Sequence, residues 1–366
     1  MSKAYIVTNP MIAANKSTEV TLSKFIRVIR PCYDQITVIG GNLSLESDIN
    51  DVELVSFEIV RAGNKIKRAR DILSLQFKMC SVVHKMIQMN DQVFFWIGDK
   101  MILPFLSAKF KKAEINYFIM GNVTKEGSAN LFTRISGKLI RYMAEHANYT
   151  CMESQSVVDE WPGLKVKNKR VIHLYTDNII MNSINGREKI IGMVCRLTSG
   201  KHVLESIEAM ASIHSLYPEW KLEIIGSGRQ QEECEKKIMQ LNAKDYIKLL
   251  GWVEHQKVIE VSKHWKFFLF PTDTEGMPNS LIEMMGRGIP SLTSPVGGIK
   301  DIIEDGGNGF FIVDNSQESI MAGIIKLIGI NDEAYFNYVN SAYETIRREY
   351  SKDSAINNAR NILGNI

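Results

Sequence analysis

Long apolar runs are missing from this chain of 366 residues. None approaches the roughly 18 residues needed to span a bilayer, so no membrane-spanning helix is expected. The opening MSKAYIVTNPM passes directly into a strand-like run and lacks the long apolar core of a signal peptide. Cysteine is scarce. Cys32, Cys80, Cys151, Cys195 and Cys234 are odd in number and scattered, with no CxxC. That pattern argues against a disulfide framework or a zinc site and for buried thiols in a reducing compartment. Low-complexity tracts and repeats of solenoid period are also lacking. A cytoplasmic location is expected.

What is present is ordinary globular material, 45% hydrophobic and 23% charged, long enough for two domains. The net charge of +3 hides an asymmetry. Residues 1–175 carry 24 basic and 16 acidic side chains, and residues 176–366 carry 20 and 25. Two halves with different partners are implied. Lys65, Lys67, Arg68 and Arg70 crowd one segment, and Lys109, Lys111 and Lys112 another. These make either a solvated face or one drawn to an anionic membrane surface or a lipid-phosphate acceptor. Nucleic acid is not expected, because the basic runs lack interleaved aromatics.

Along the chain, short apolar runs alternate with helical patterns. In the first half, strands are predicted near 4–8, 36–39, 52–60, 93–96, 115–120 and 149–152. Gly40-Gly41 is expected to end the second of them. Helices are predicted over 17–30, 65–89, 101–110 and 131–146. The 65–89 segment has Ile66, Ile72, Leu75, Phe77, Cys80, Val83 and Met86 at helical spacing. Residues 154–170 contain Trp161-Pro162-Gly163 and a basic run, and read as loop and linker. The alternation then restarts with strands at 190–194, 221–225 and 247–250. Strands alternating with helices imply parallel sheets covered on both faces.

The most informative stretch is 267–311, FFLFPTDTEGMPNSLIEMMGRGIPSLTSPVGGIKDIIEDGGNGFF. A four-residue apolar strand is closed by Pro271, and a polar loop follows. Pro278 suits a first helical turn, where its missing N–H costs nothing. The helix is predicted to run to about Arg287, where Gly288 stops it. A strand, a tight loop and a helix start form an arrangement that can bind phosphate through unpaired amides. Gly276 allows close approach to the backbone. Glu275 and Glu283 flank the turn, and each carboxylate can accept from a pair of neighbouring hydroxyls, as on a sugar or a ribose.

This stretch resembles the signature of the retaining glycosyltransferases of family 4. Its matching text is EGMPNSLIE followed by GRGIPSLTSPVGGIKDIIEDGGNGFF. The order of Gly276, Pro278, Gly288, Pro290, Gly297, Gly298, Asn308 and Gly309 carries the likeness. It covers about 190–311 and is only architectural before that. The resemblance implies an α/β chain of GT-B fold, with two Rossmann-like doubly wound parallel-sheet domains facing a cleft. An acceptor-binding domain would span 1–170, with a helix of about 351–366 packing back on it. A nucleotide-sugar domain would span 171–350.

Roles follow from the same resemblance. Arg196 and Lys201, in IIGMVCRLTSGKH, would hold a diphosphate, although Cys195 and His202 replace the family's flanking glycines. Glu275 would hold sugar hydroxyls, and Glu283 the ribose diol. Gly276, Met277, Pro278, Asn279, Ser280 and Leu281 would form the phosphate cradle. Gly226 and Gly228 resemble a nucleotide-binding G-x-G, or make a plain strand-to-helix turn. Trp252 and Val253 would sit beside the base, unless Trp252 is a half-buried core aromatic. No DxD pair accompanies Asp273, and the cations can neutralise the phosphates, so no metal and no cofactor beyond the nucleotide-sugar substrate is expected.

The first half departs from the family. It has TNPMIAANKS without a glycine after its first strand, and Met120-Gly121 where the family has His-Gly. The expected activity is retaining, metal-independent transfer from a UDP- or GDP-sugar to a glycan, sugar or lipid-linked hydroxyl. A peripheral position on the inner membrane face fits the basic half. The alternatives are a sugar-nucleotide epimerase of related fold or a non-catalytic GT-B binding protein.

Overall fold

The computed structural model describes residues 2–8, 16–59, 65–97, 101–119, 131–159, 161 and 163–364. The chain forms two compact units. One contains residues 1–175 and 352–366, and the other residues 176–351.

The first unit begins β1 (Lys3–Thr8), α1 (Lys16–Ile29), β2 (Gln35–Gly41), β3 (Glu53–Phe57), α2 (Lys65–Met86) and β4 (Gln92–Trp96). It continues α3 (Ile102–Phe110), β5 (Glu114–Ile119), α4 (Leu131–His146), β6 (Tyr149–Met152), α5 (Ser156–Asp159) and β7 (Lys169–Val171). Its sheet is parallel, in the order β3-β2-β1-β4-β5-β6-β7. Side chains alternate across each strand, so apolar runs are buried on both faces. Tyr5, Val7, Val93, Phe95 and Tyr117 pack under α2, α3 and α4. Ala4, Ile6, Phe94, Trp96 and Phe118 pack on the other face, under α1.

Two expectations are corrected here, whereas Gly40 and Gly41 do end β2, as its last two residues, paired with Ser56 and Phe57. Phe77 is 60% exposed, because the inward stripe of α2 is Leu75, Met79 and Val83 at intervals of four, and Phe77 falls between its turns. Residues 154–170 are not a linker. Trp161 is buried in the core, and β7 pairs with β6 as the last strand of the sheet. Arg170 is buried too, bonded through Nη1 to Asn116 Oδ1.

Glu153 follows β6 directly and is 8% exposed. Among the described residues it makes no hydrogen bond or ion pair, and burial pushes its carboxyl up to about 7.

The second unit contains β8 (Ile190–Val194), α6 (Val203–Ile213), β9 (Lys221–Ile225), α7 (Gln231–Gln240), β10 (Ile247–Gly251) and α8 (His255–Ser262). After these come β11 (Phe267–Phe270), α9 (Asn279–Met285), β12 (Ser291–Thr293), β13 (Phe310–Phe311), α10 (Gln317–Ile328) and α11 (Asp332–Glu349). Its sheet is also parallel, in the order β10-β9-β8-β11-β12-β13. The chain runs outward from β8 to β10, then returns to lay β11 on the other side of β8. That reversal makes the carboxyl ends of β8 and β11 the place where such sheets bind ligands.

The last helix, α12 (Lys352–Leu363), returns to the first unit. Ala355, Ala359 and Leu363 join Phe25, Ile29 and Trp96 in its core.

Candidate active site

The loops leaving β8 and β11 meet at the reversal. The first carries Arg196 and Lys201, and the second carries Thr272, Asp273 and Glu275. Backbone hydrogen bonds set their spacing: the Asp273 N–H donates to Gly200 O at 3.1 Å. Lys201 ends a short 3-10 turn, Ser199–Lys201, and reaches across. Its Nζ donates to Thr272 Oγ1 at 3.0 Å and pairs with Glu275 Oε1. Both partners are well covered, with side chains 14% and 16% exposed. The structure joins it to Glu275, 74 residues away along the chain.

The β11 loop is braced from behind. Thr272 N–H donates to Ser294 Oγ at 2.8 Å, Ser294 Oγ to Asn315 Oδ1 at 2.6 Å, and Asn315 Nδ2 returns to Thr272 O at 3.1 Å. The Gly298 N–H holds Glu275 O at 3.2 Å. Gly297 stands at φ 47°, and a Cβ there would lie 1.8 Å from Glu275 O. Glycine is therefore required at 297 by the backbone that carries Glu275, while Gly298 supplies its N–H. Asn308 is likewise structural. Its amide accepts from the Glu304 N–H and donates to Ile302 O and Thr345 Oγ1.

Gly226 and Gly228 brace the β8 loop. A Cβ on Gly226 would lie 1.8 Å from Cys195 O, and one on Gly228 2.2 Å from Leu197 O. Leu197 N–H donates to Ser227 O at 3.0 Å, so the glycines let the β9 loop lie against the segment holding Arg196. Arg196 itself is exposed and has no partner among the described residues, so its guanidinium is open to an anion. Burial pushes the neighbouring Cys195 thiol up to about 12, which keeps it protonated and inert.

The expected phosphate cradle is smaller than the sequence implied. Helix α9 has seven residues and ends at Met285, short of the predicted Arg287. The Asn279 N–H is taken by Met277 O at 3.0 Å, because Pro278 turns the chain before the helix starts. Met277, Pro278 and Leu281 bury their side chains, leaving Gly276, Asn279 and Ser280 nearer the surface.

Glu283, on α9, accepts from His255 Nε2 at 3.1 Å, and His255 opens α8. Trp252 is 71% exposed, so it is not a core aromatic, whereas Val253 packs on buried apolar residues. The loop after β1 and Met120-Gly121, where the sequence departs from the resembled family, lie outside the described residues.

Sequence reasoning missed His202 and Asp273. His202 Nε2 lies 2.9 Å from Asp273 Oδ1, beside the Lys201–Glu275 pair. The signal was available in the histidine standing where the resembled family has glycine.

Solved structures with this two-unit architecture define a class. HepE of Anabaena, in complex with UDP and glucose, aligns over 100% of both chains with a TM-score of 0.75 at 15% identity. A TarM variant of S. aureus, in complex with fondaparinux, alpha-GlcNAc-glycerol and UDP, covers 99% of this chain and is itself covered in full, at 0.74 and 14%. Identities this low carry the fold alone, which is GT-B.

The sequence narrows the class. Residues 176–345, nearly all of the second unit, match glycosyl transferases group 1, so that unit resembles this family of glycosyltransferases. Over 339 residues it is 24% identical to an uncharacterized glycosyltransferase of Haemophilus influenzae, covering 89% of each chain. Other relatives are longer, and the chain spans 26% and 41% of two of them.

Proposed function

We propose that the protein transfers a sugar, with retention at the anomeric carbon, from a UDP- or GDP-sugar to an acceptor hydroxyl in glycan, polysaccharide or glycolipid synthesis. The observation that carries this reading is the Lys201–Glu275 pair at the sheet reversal, with Arg196 open beside it. A diphosphate draws the ammonium and the guanidinium together. Glu275, released from Lys201, accepts from the sugar hydroxyls. As the bond from the anomeric carbon to the β-phosphate oxygen breaks, charge builds on that phosphate, and fixed cations stabilise it most at the transition state. The acceptor oxygen bonds to the same face of the carbon, and its proton passes to the leaving phosphate oxygen.

Glu283 takes the ribose diol, with Trp252 and Val253 beside the base. The division between the two carboxylates has a direct test. Glu283→Gln weakens binding of UDP or GDP alone in titration calorimetry by about tenfold, the loss of roughly one charged hydrogen bond. Glu275→Gln leaves binding of the bare nucleotide unchanged. The opposite pattern would overturn the assignment. A thermal-shift series across UDP-, GDP- and ADP-sugars selects the donor. Donor turned over without any acceptor into an epimer would favour an epimerase.

The acceptor side favours an anionic membrane surface. Helices α2, α3 and α4 share one layer of the first unit, and their sequences contain ten basic and two acidic residues. The rest of residues 1–175 is charge-balanced. Leu73, Phe77, Leu106, Phe110, Ile135 and Tyr142 stand exposed on the same helices. Cations near such a surface contribute about 1 kcal/mol each, and exposed apolar side chains add burial in the headgroup region. The protein should sediment with phosphatidylserine vesicles at low salt and stay behind with phosphatidylcholine ones. Phe77→Ser with Phe110→Ser should weaken that binding. Equal binding to both vesicles, or to neither, would count against it.

A further inference from the structure

We infer that His202 is a positioning residue for the transfer: its bond to Asp273 fixes the loop bearing Lys201 against the loop bearing Glu275. The inference rests on the roles proposed above for Lys201 and Glu275.

His202 stands at φ 47° and ψ 40°, in the left-handed region. Side chains with a Cβ are disfavoured there, and glycine is not. Of the six described non-glycine residues with positive φ, three are asparagine, which tolerates this conformation. Histidine is also found there more often than most residues, but at a cost that glycine does not carry. A backbone held in a disfavoured conformation points to something the side chain supplies.

What the imidazole supplies is a tie between two loops. Its Nε2 donates to Asp273 Oδ1 at 2.9 Å, since a carboxylate can only accept. Its Nδ1 is buried without a hydrogen-bond partner and lies 3.5 Å from Glu205 Oε1 on α6. Asp273 is thus held twice by the β8 loop, through its own N–H on Gly200 O and through its carboxylate on His202. Both bonds lie next to Lys201 in sequence, and the second reaches a residue two before Glu275. Without the side-chain tie, the two loops lose one of the bonds that hold the ammonium in register with the carboxylate.

The test uses the full chain and a steady-state assay of UDP released from UDP-glucose, or the matching nucleotide from the donor selected above. His202→Gly keeps the backbone conformation and removes only the imidazole. It should fold with an unchanged or higher Tm. Its kcat should fall by about tenfold to a hundredfold, the scale of a misplaced catalytic group. The donor KM should move less than kcat. Asp273→Ala should reproduce that loss, and the double variant should lose no more than either alone, because one tie has been cut. Full turnover in His202→Gly, or losses that multiply in the double variant, would overturn the inference. Lys201→Ala serves as the reference. Where it abolishes turnover and His202→Gly does not, only this inference fails. Where Lys201→Ala itself leaves turnover intact, the reading of the site falls and the inference with it.

Discussion

Replacing Lys201 by methionine should cut turnover by about a hundredfold to a thousandfold, the usual loss when a charge-stabilising group is removed from a transition state. It should also lower the melting temperature, which a lysine in an open loop would not do. The ammonium lies between Thr272 and Glu275, and its removal leaves the Glu275 carboxylate covered and unpaired. Breaking one half of a buried pair costs about 3–5 kcal/mol, and this pair, well covered but still touched by solvent, belongs at the lower end of that range. A second substitution separates the two effects. Adding Glu275→Gln to Lys201→Met should restore much of the stability, because no lone charge remains, and none of the turnover. Activity that returned with stability would show Lys201 to be a structural cation. Stability and activity measured on the same three proteins decide the matter.

Glu153→Gln should stabilise the first unit, and the gain should depend on pH. The carboxyl is pushed up to about 7 in the folded chain from an ordinary 4.5, by burial alone. The folded state therefore binds this proton more tightly than the unfolded state does. Between those two values the unfolded chain carries fewer protons, so stability falls as pH rises, by about 1.4 kcal/mol per unit at most. Below 4.5 the carboxyl is neutral in both states and costs nothing further. Above 7 the full penalty stands, on the order of 3 kcal/mol. Glutamine keeps the shape without the charge. Unfolding curves of the two proteins should nearly coincide at pH 4.5, diverge up to about pH 7 and keep a constant separation above it. Parallel curves from pH 4.5 to about 7 would mean that the carboxyl finds a partner in solution.

Both results involve residues that the sequence revealed unequally. The chain from Phe267 to Phe311 was legible because its information is local. A short apolar strand, a proline at a helix start and glycines at turns each leave a mark within a few positions. The alternation of strands and helices was legible for the same reason, and it gave the parallel sheets. Contacts between distant loops left no such mark. Nothing beside Lys201 announces Glu275, and nothing beside Asp273 announces His202, because the sheet order alone brings β8 next to β11. Phe77 misled because a helical stripe is judged by spacing, and an outward aromatic at a near-correct spacing resembles an inward one. The segment 154–170 misled because proline, glycine and lysine are also what an edge strand and its approach contain. The Asn279 amide was expected to be open, and only the geometry of the turn at Pro278 shows where its hydrogen goes.

The placement of α12 bears on how the chain comes to fold during synthesis. The second unit is one continuous segment, complete once residue 351 has emerged. The first unit is begun earlier and finished later, because Ala355, Ala359 and Leu363 fill its interior beside Phe25 and Trp96. Until those last turns leave the ribosome, an apolar surface on the earlier half stays open to solvent and to chaperones. The half made first is thus the half that matures last, and a stop codon just before Lys352 would spare the later-made half while leaving its predecessor uncovered.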